Sequence, residues 1–207
     1  MTGSDEGAEA PRTFSAELAG WLASGADRSL GDLGMVFAER TFAVAILLLM
    51  VPAALPLPTG GVTHVLEAMA VVVAGEMVLG LSTLWLPARW RQRPLGPAMT
   101  GRALPTVVRM VAFFERFSRK RGAAVLRRGW ARRLVGVALV GLIVAAALAP
   151  PFSGLDTLPA LGAVVVCLAV ILEDAAVLAI GLLLGVVGAV LEVVLGVALV
   201  DLIRRLW

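Results

Sequence analysis

The chain has 207 residues, 59% of them hydrophobic and only 16% charged, with mean hydropathy +0.93, where soluble proteins run about 45–50% apolar and about 25% charged. A water-soluble fold of this size cannot enclose that much apolar surface, so lipid is expected to be part of its solvent. One cysteine, Cys167, and one histidine, His64, exclude an internal disulfide, an all-cysteine or multi-histidine metal site, and a histidine-based relay beyond that single residue; no metal and no cofactor is expected.

Residues 1–13 are small, polar and acidic (Asp5, Glu6, Glu9) and read as a disordered tail. With no basic run ahead of an apolar stretch, a cleavable signal peptide is not expected there. The remainder, 14–207, reads as one membrane domain. Phe14, Leu18, Trp21 and Leu22 recur at helical spacing, and Ser29 with Asp32 is an imperfect helix start before Leu33 and Phe37. Both stretches suit short amphipathic helices on the cytoplasmic interface.

Apolar segments follow. Thr41–Leu55 ends at Pro56-Leu57-Pro58, and Val62–Leu86 ends at Trp85-Leu86-Pro87, which puts an indole at headgroup depth. From Ala88 to Arg133 thirteen basic residues face one acid, Glu115, whereas Met1–Arg40 carries seven acids and three arginines, so the net charge of +3 hides a strong segregation. Short arginine-rich loops stay on the inner side of a membrane, and the stretch 88–133 is therefore read as a cytoplasmic linker. Within it Leu104, Val107, Val108, Val111 and Phe114 oppose Arg109, Arg116 and Lys120, the pattern of a helix lying among anionic headgroups. No nucleic-acid motif accompanies the cations, so lipid and not nucleic acid is the expected partner.

Leu134–Ala149 ends at Pro150-Pro151, and Leu158–Val200 is apolar except for Glu173, Asp174 and Glu192. A bilayer core needs about 20 helical residues. Thr41–Leu55 and Leu134–Ala149 fall short of this and must borrow a preceding turn or enter part-way, and Leu158–Val200 is long enough to need a break. The chain also matches itself at an offset of 93: from Ala38 to Val73, 15 of 36 positions are identical, including Arg40 with Arg133, Pro58 with Pro151 and Gly61 with Gly154. This predicts two duplicated helix-proline-helix units, about 38–87 and about 134–184, with Pro56, Pro58, Pro150 and Pro151 at their turns, followed by a C-terminal helix at about 186–207. Among membrane transporters such repeats place the working site where they meet.

In their order and spacing, Ser29-Leu-Gly-Asp-Leu33, Phe37-Ala-Glu-Arg40, Pro56-Leu-Pro58, Gly80 to Trp85-Leu-Pro87, Phe114-Glu-Arg116, Pro151-Phe152, Leu158-Pro-Ala160, Glu173-Asp174 and Gly181-Leu-Leu-Leu-Gly185 resemble the exopolysaccharide synthesis protein ExoD family. The resemblance covers nearly everything from Phe14 to Trp207. It implies a multi-pass protein of the bacterial inner membrane associated with exopolysaccharide production, and it carries over no catalytic residue.

Ionisable groups at bilayer depth are costly and persist where they are paired, hydrated or neutral. Glu76, Glu173, Asp174 and Glu192 are accordingly the candidate intramembrane polar site, with Glu76 a loose counterpart of Glu173. On one helix Asp174, Gly181, Gly185, Gly188 and Glu192 form a stripe, at separations of 7, 11, 14 and 18 residues from the first. Such a stripe is either a packing face or a carboxylate-lined path, and the acids at its ends also suit opposite interfaces, about 27 Å apart. His64 and Glu67, three residues apart, are placed to pair. Arg40, Arg133, Arg109 and Arg116 are candidate contacts for anionic headgroups, since guanidinium suits bidentate phosphate contact; as plain anchors they fit equally. The terminal Arg204 and Arg205 fall outside if each unit crosses twice, unless the last segment re-enters. The functions in view are binding or movement of an anionic or lipid-linked substrate at the repeat interface, and a scaffold for a polysaccharide-synthesis complex, alone or as a homo-oligomer. With no nucleotide-cradling loop, an enzyme is not expected.

Overall fold

The computed structural model describes residues 13–24, 40–55, 62–81, 83–85, 104–116, 118, 121–149 and 154–206. Among the described residues there are eight helices and no strand: α1 (Phe14–Ala23), α2 (Thr41–Met50), α3 (Val62–Leu79), α4 (Leu104–Glu115), α5 (Ala123–Leu126), α6 (Gly129–Leu148), α7 (Thr157–Leu172) and α8 (Ala175–Leu206). The four turn prolines, the acidic stretch 1–12, the Ser29–Asp32 element and linker residues 88–103 lie outside the described residues.

Two helices are long and apolar enough to cross a bilayer, Gly129–Leu148 and the Ala175–Ala198 part of α8. The first reaches that length by starting five residues ahead of Leu134, so the short apolar run does borrow its preceding turn. α2, of 10 residues, and α7, of 16, are shorter apolar helices. The outer face of α8 leaves Ile180, Leu183, Val190, Val193 and Val197 more than half exposed, a surface that lipid suits and water does not.

Helices α2, α3, α6 and α7 form a closed ring of contacts: α2 packs on α3 and α7, and α6 packs on the same two. The first helix of each pair therefore meets the second helix of the other. Phe42, Ile46 and Met50 from α2, Ala74 and Met77 from α3, Leu139 and Ile143 from α6, and Val166, Leu168 and Ile171 from α7 fill the centre, all essentially sealed from solvent. α8 lies on α7 and touches α6, and the α1–α4 pair sits against α2 and α7.

Two expectations are corrected. The apolar stripe of α4 is not spread on a membrane surface, because Leu104, Val107 and Val111 are buried in the core, with Phe114 packed against it. The carboxylate of Glu115 ties this helix to α1 by accepting from the backbone N–H of Ser15 (3.1 Å) and from its hydroxyl. An apolar stripe is satisfied as well by a neighbouring helix as by a bilayer, and α1 supplies that neighbour.

The second correction concerns the last helix, which runs unbroken from Ala175 through Gly185 to Leu206, so no element ends at 184–186. The break falls at the acidic pair. Glu173 turns left-handed (φ 55°) and ends α7, and the carboxylate of Asp174 accepts the N–H of Ala176 at 2.9 Å, restarting the chain as α8. This side-chain acceptor satisfies a helix-start donor that has no backbone partner.

Candidate functional site

The helices that end the two pairs close in the same way, 93 residues apart. At the end of α3 the N–H groups of Gly80 and Leu81 donate to the carbonyls of Met77 (3.1 Å) and Glu76 (3.1 Å); at the end of α7 those of Glu173 and Asp174 donate to Val170 (3.3 Å) and Ala169 (3.1 Å). Both are Schellman ends, which need a left-handed residue at the turn. Gly80 meets that need freely at φ 78°, and Glu173 meets it at φ 55° with a side chain attached.

That side chain is bound tightly. Glu173 Oε1 accepts from Arg40 Nη2 at 2.9 Å and Arg127 Nε at 3.1 Å, and Oε2 accepts from Arg127 Nη2 at 2.9 Å. Arg40 comes from the start of α2, where its guanidinium also lies 5.3 Å from the centre of the Phe14 ring. Arg127 comes from the turn between α5 and α6. Burial pushes the Glu173 carboxyl up, but the hydrogen bonds and charges of Arg127 and Arg40 outweigh it and leave the group below the ordinary carboxylate range. Asp174 beside it accepts from the Ser118 hydroxyl at 3.1 Å, so this end of α7 is stitched to three segments.

The equivalent end of α3 differs in one respect. Arg133, the counterpart of Arg40, lies with its guanidinium across Gly80, 3.0 Å from where a Cβ would stand. Among the described residues no carboxylate pairs with it. Its neighbour Arg132 donates to the carbonyl of Leu81 and stands 5.6 Å over the Phe42 ring. Glu76, one turn back along α3, accepts the N–H of Trp85 at 2.8 Å and so folds the segment after the helix back over its end. Glu76 and Glu173 thus engage separate partners and do not converge.

A groove of about 700 Å³ lies between α3 and α6, lined by Gly75, Glu76, Leu79, Leu81, Trp85 and Val137; Leu79 and Leu81 flank Gly80, over which the Arg133 guanidinium lies. The indole of Trp85 is 65% exposed. A second apolar groove of about 470 Å³ lies between α6 and α8.

The glycine stripe faces helices. A Cβ at Gly181 would lie 2.8 Å from the backbone of Val166, one at Gly188 2.6 Å from Leu158, and one at Gly162 would collide with the backbone of Gly185. Glu192 lies one turn beyond Gly188, buried, with Oε2 unpartnered among the described residues. The pair expected from spacing is present, with His64 Nδ1 2.8 Å from Oε2 of the fully buried Glu67, whose Oε1 has no partner among the described residues. Arg109 and Arg116 are exposed and belong to neither helix end, Arg109 donating to its own helix at Pro105 (3.4 Å). Among the described residues no group of three or more His, Cys, Asp or Glu side chains is placed to hold a metal ion.

Sequence reasoning missed Arg127 and Arg132, which no spacing rule distinguishes within a basic stretch. It also missed the match of Gly80 with Glu173, which the offset of 93 would have given if carried seven positions past Val73.

The family model described as "Exopolysaccharide synthesis, ExoD" matches residues 14–194. A curated relative, an uncharacterized protein of Synechocystis sp., is 22% identical over 175 residues, covering 84% of this chain and 78% of its own length. No solved structure matches.

Proposed function

Because the chain belongs to the exopolysaccharide synthesis ExoD family, we propose that it works in the bacterial inner membrane in the synthesis or export of exopolysaccharide, binding or moving an anionic, lipid-linked substrate where its two helix pairs meet. The observation that carries this reading is the reciprocal packing of α2 on α7 and α3 on α6. It makes the interface between the pairs the centre of the molecule, and one flank of that interface is an apolar groove whose lining residues Leu79 and Leu81 flank the glycine that Arg133 covers. The two pairs are duplicates, as the matched helix ends at Gly80 and Glu173 support. The basic linker faces the cytoplasm, and its cations contact anionic headgroups. The protein is not an enzyme.

Deletion of the gene in its own host, with complementation, tests the role: polymer output falls in the deletion strain and returns with the wild-type chain. Unchanged output removes the exopolysaccharide reading. Replacing Glu76, Glu173, Asp174 and Glu192 singly by the amide separates a substrate-moving role from the second reading, a scaffold holding other synthesis proteins. The stitching of Glu173 and Asp174 to Arg40, Arg127 and Ser118 favours that scaffold for these two carboxylates. If all four amide variants stay folded and support normal output, carboxylate-driven transport is abandoned. Reporter fusions after Arg102 and Asp156 are expected inside and outside.

A further inference from the structure

The two helix ends invite direct superposition of their chemistry. Positions 80 and 173 are equivalent by the offset, by the left-handed turn and by both hydrogen bonds, and each lies beside the arginine that enters the facing helix pair, Arg133 at the first and Arg40 at the second. At the second end the arginine is neutralised by a carboxylate of the chain itself. At the first end the residue that would supply the carboxylate is glycine, so the guanidinium lies over bare backbone with no anion from the described residues. A cation with no carboxylate among the described residues, beside an apolar groove, is complementary to a ligand that is anionic at one end and hydrocarbon beyond it.

We propose that the α3–α6 groove is the binding site of a single-chain lipid phosphate, of the prenyl phosphate class, with its phosphate on Arg133 at the place that Glu173 fills in the other half. This rests on the lipid-linked substrate reading above and names its class and position. Three features select the occupant. Apart from Glu76 the groove lining is apolar, which suits a hydrocarbon chain. The planar guanidinium beside Gly80 matches a terminal phosphate bearing free oxygens, which it grips in bidentate fashion. Glu76, one helical turn back from Gly80 in the same lining, repels an anion and so keeps the headgroup at the Gly80 end, while the exposed Trp85 of that lining suits the apolar–polar boundary of such a molecule.

The test uses the purified full-length protein in phosphatidylcholine nanodiscs and a photoreactive prenyl phosphate. Saturable labelling is expected on α3 and α6. Excess unlabelled prenyl phosphate displaces it, while the corresponding prenol, phosphatidylglycerol and inorganic phosphate do not. Arg133→Gln reduces labelling by about tenfold or more, the scale of one lost charge-assisted contact. Gly80→Glu recreates the other half's carboxylate in a conformation that Glu173 already adopts, and reduces labelling at least as much, well beyond the uncharged Gly80→Gln. Should Arg133→Gln fail to elute as the wild type does, Arg133→Lys replaces it, with an expected loss of about threefold because the charge stays and the fork goes.

Absence of saturable labelling overturns the site, as does equal displacement by phosphatidylglycerol or inorganic phosphate, or labelling indifferent to both Arg133→Gln and Gly80→Glu. Loss of polymer on deletion together with absent labelling leaves the exopolysaccharide reading standing and removes this one. The expected labelling together with normal polymer does the reverse.

Discussion

The two halves of this protein share a local code and differ in how they are closed. Each has an arginine at the entry of its first helix and a Schellman end on its second. The second half is sealed twice, by α8 laid along α7 with backbones nearly touching at Gly162 and Gly185, and by Glu173 tied to Arg40 and Arg127. Among the described residues the first half has no such cover over the α3–α6 groove and no carboxylate at its arginine. The comparison teaches that two helix pairs can end alike while their accessibility is set by a few positions, here 80 against 173 and the glycines of one seam.

The largest expected effect is at that seam. Gly162→Leu drives a side chain into the α8 backbone and is expected to remove the folded state or cost about 3 kcal/mol or more, read as loss of a monodisperse peak in detergent and a lowered unfolding temperature. Gly141→Leu, on the open wall of the α6–α8 groove with nothing within 4 Å of its Cβ, is expected to stay within about 0.5 kcal/mol of the wild type. Similar losses at the two positions would break the contrast between seam and groove.

Next comes the bolt on the second half. Glu173→Ala strands two arginines and keeps a side chain in the left-handed region, whereas Glu173→Gly loses the same ion pairs but frees the backbone. The glycine variant is therefore expected to be the more stable of the two by about 1 kcal/mol, measured by thermal unfolding. Equal stabilities would mean that the turn stores no strain.

The same carboxylate gives a pH signature. Arg127 and Arg40 hold the folded-state carboxyl below the ordinary carboxylate range, so the unfolded chain takes up its proton first on acidification. The stability contributed by Glu173 is present above that range and is lost as pH falls through the lowered value. A titration of unfolding temperature should show this acid-side loss in the wild type and a shallower slope in Glu173→Gln. The smallest effect is expected at the first half: Glu76→Gln keeps an acceptor for the Trp85 N–H but not its charge, and costs about 1 kcal/mol.

Much of this was legible in the sequence where a pattern had one physical solution. An apolar run too long for one crossing had to contain a break, and it does, though at the acidic pair Glu173-Asp174 and not near 185 where the sequence reading puts it. Of the stripe Gly181, Gly185, Gly188, the first and last face α7 and a Cβ at Gly185 would meet Leu142 of α6. Where a pattern had two solutions, sequence could not choose. The apolar face of α4 suits lipid and protein alike, and only the folded neighbour α1 decides. Glu76 and Glu173 are both buried carboxylates in similar surroundings, yet Glu76 is used on the backbone of Trp85 nine residues on and Glu173 on arginines 133 and 46 residues away. Contacts of that span leave no periodic trace.

The uninterrupted course of α8 carries one further consequence. At 1.5 Å per residue its 32 residues extend about 48 Å, and the 24 of its apolar part about 36 Å. Fitting that part into a hydrocarbon layer of about 30 Å takes a lean of about 34°, inside the range seen for spanning helices. A straight rod so placed carries Arg204 and Arg205 to the headgroups opposite those beside Ala175. In such a placement the helix would reach both leaflets with charged residues near each tip.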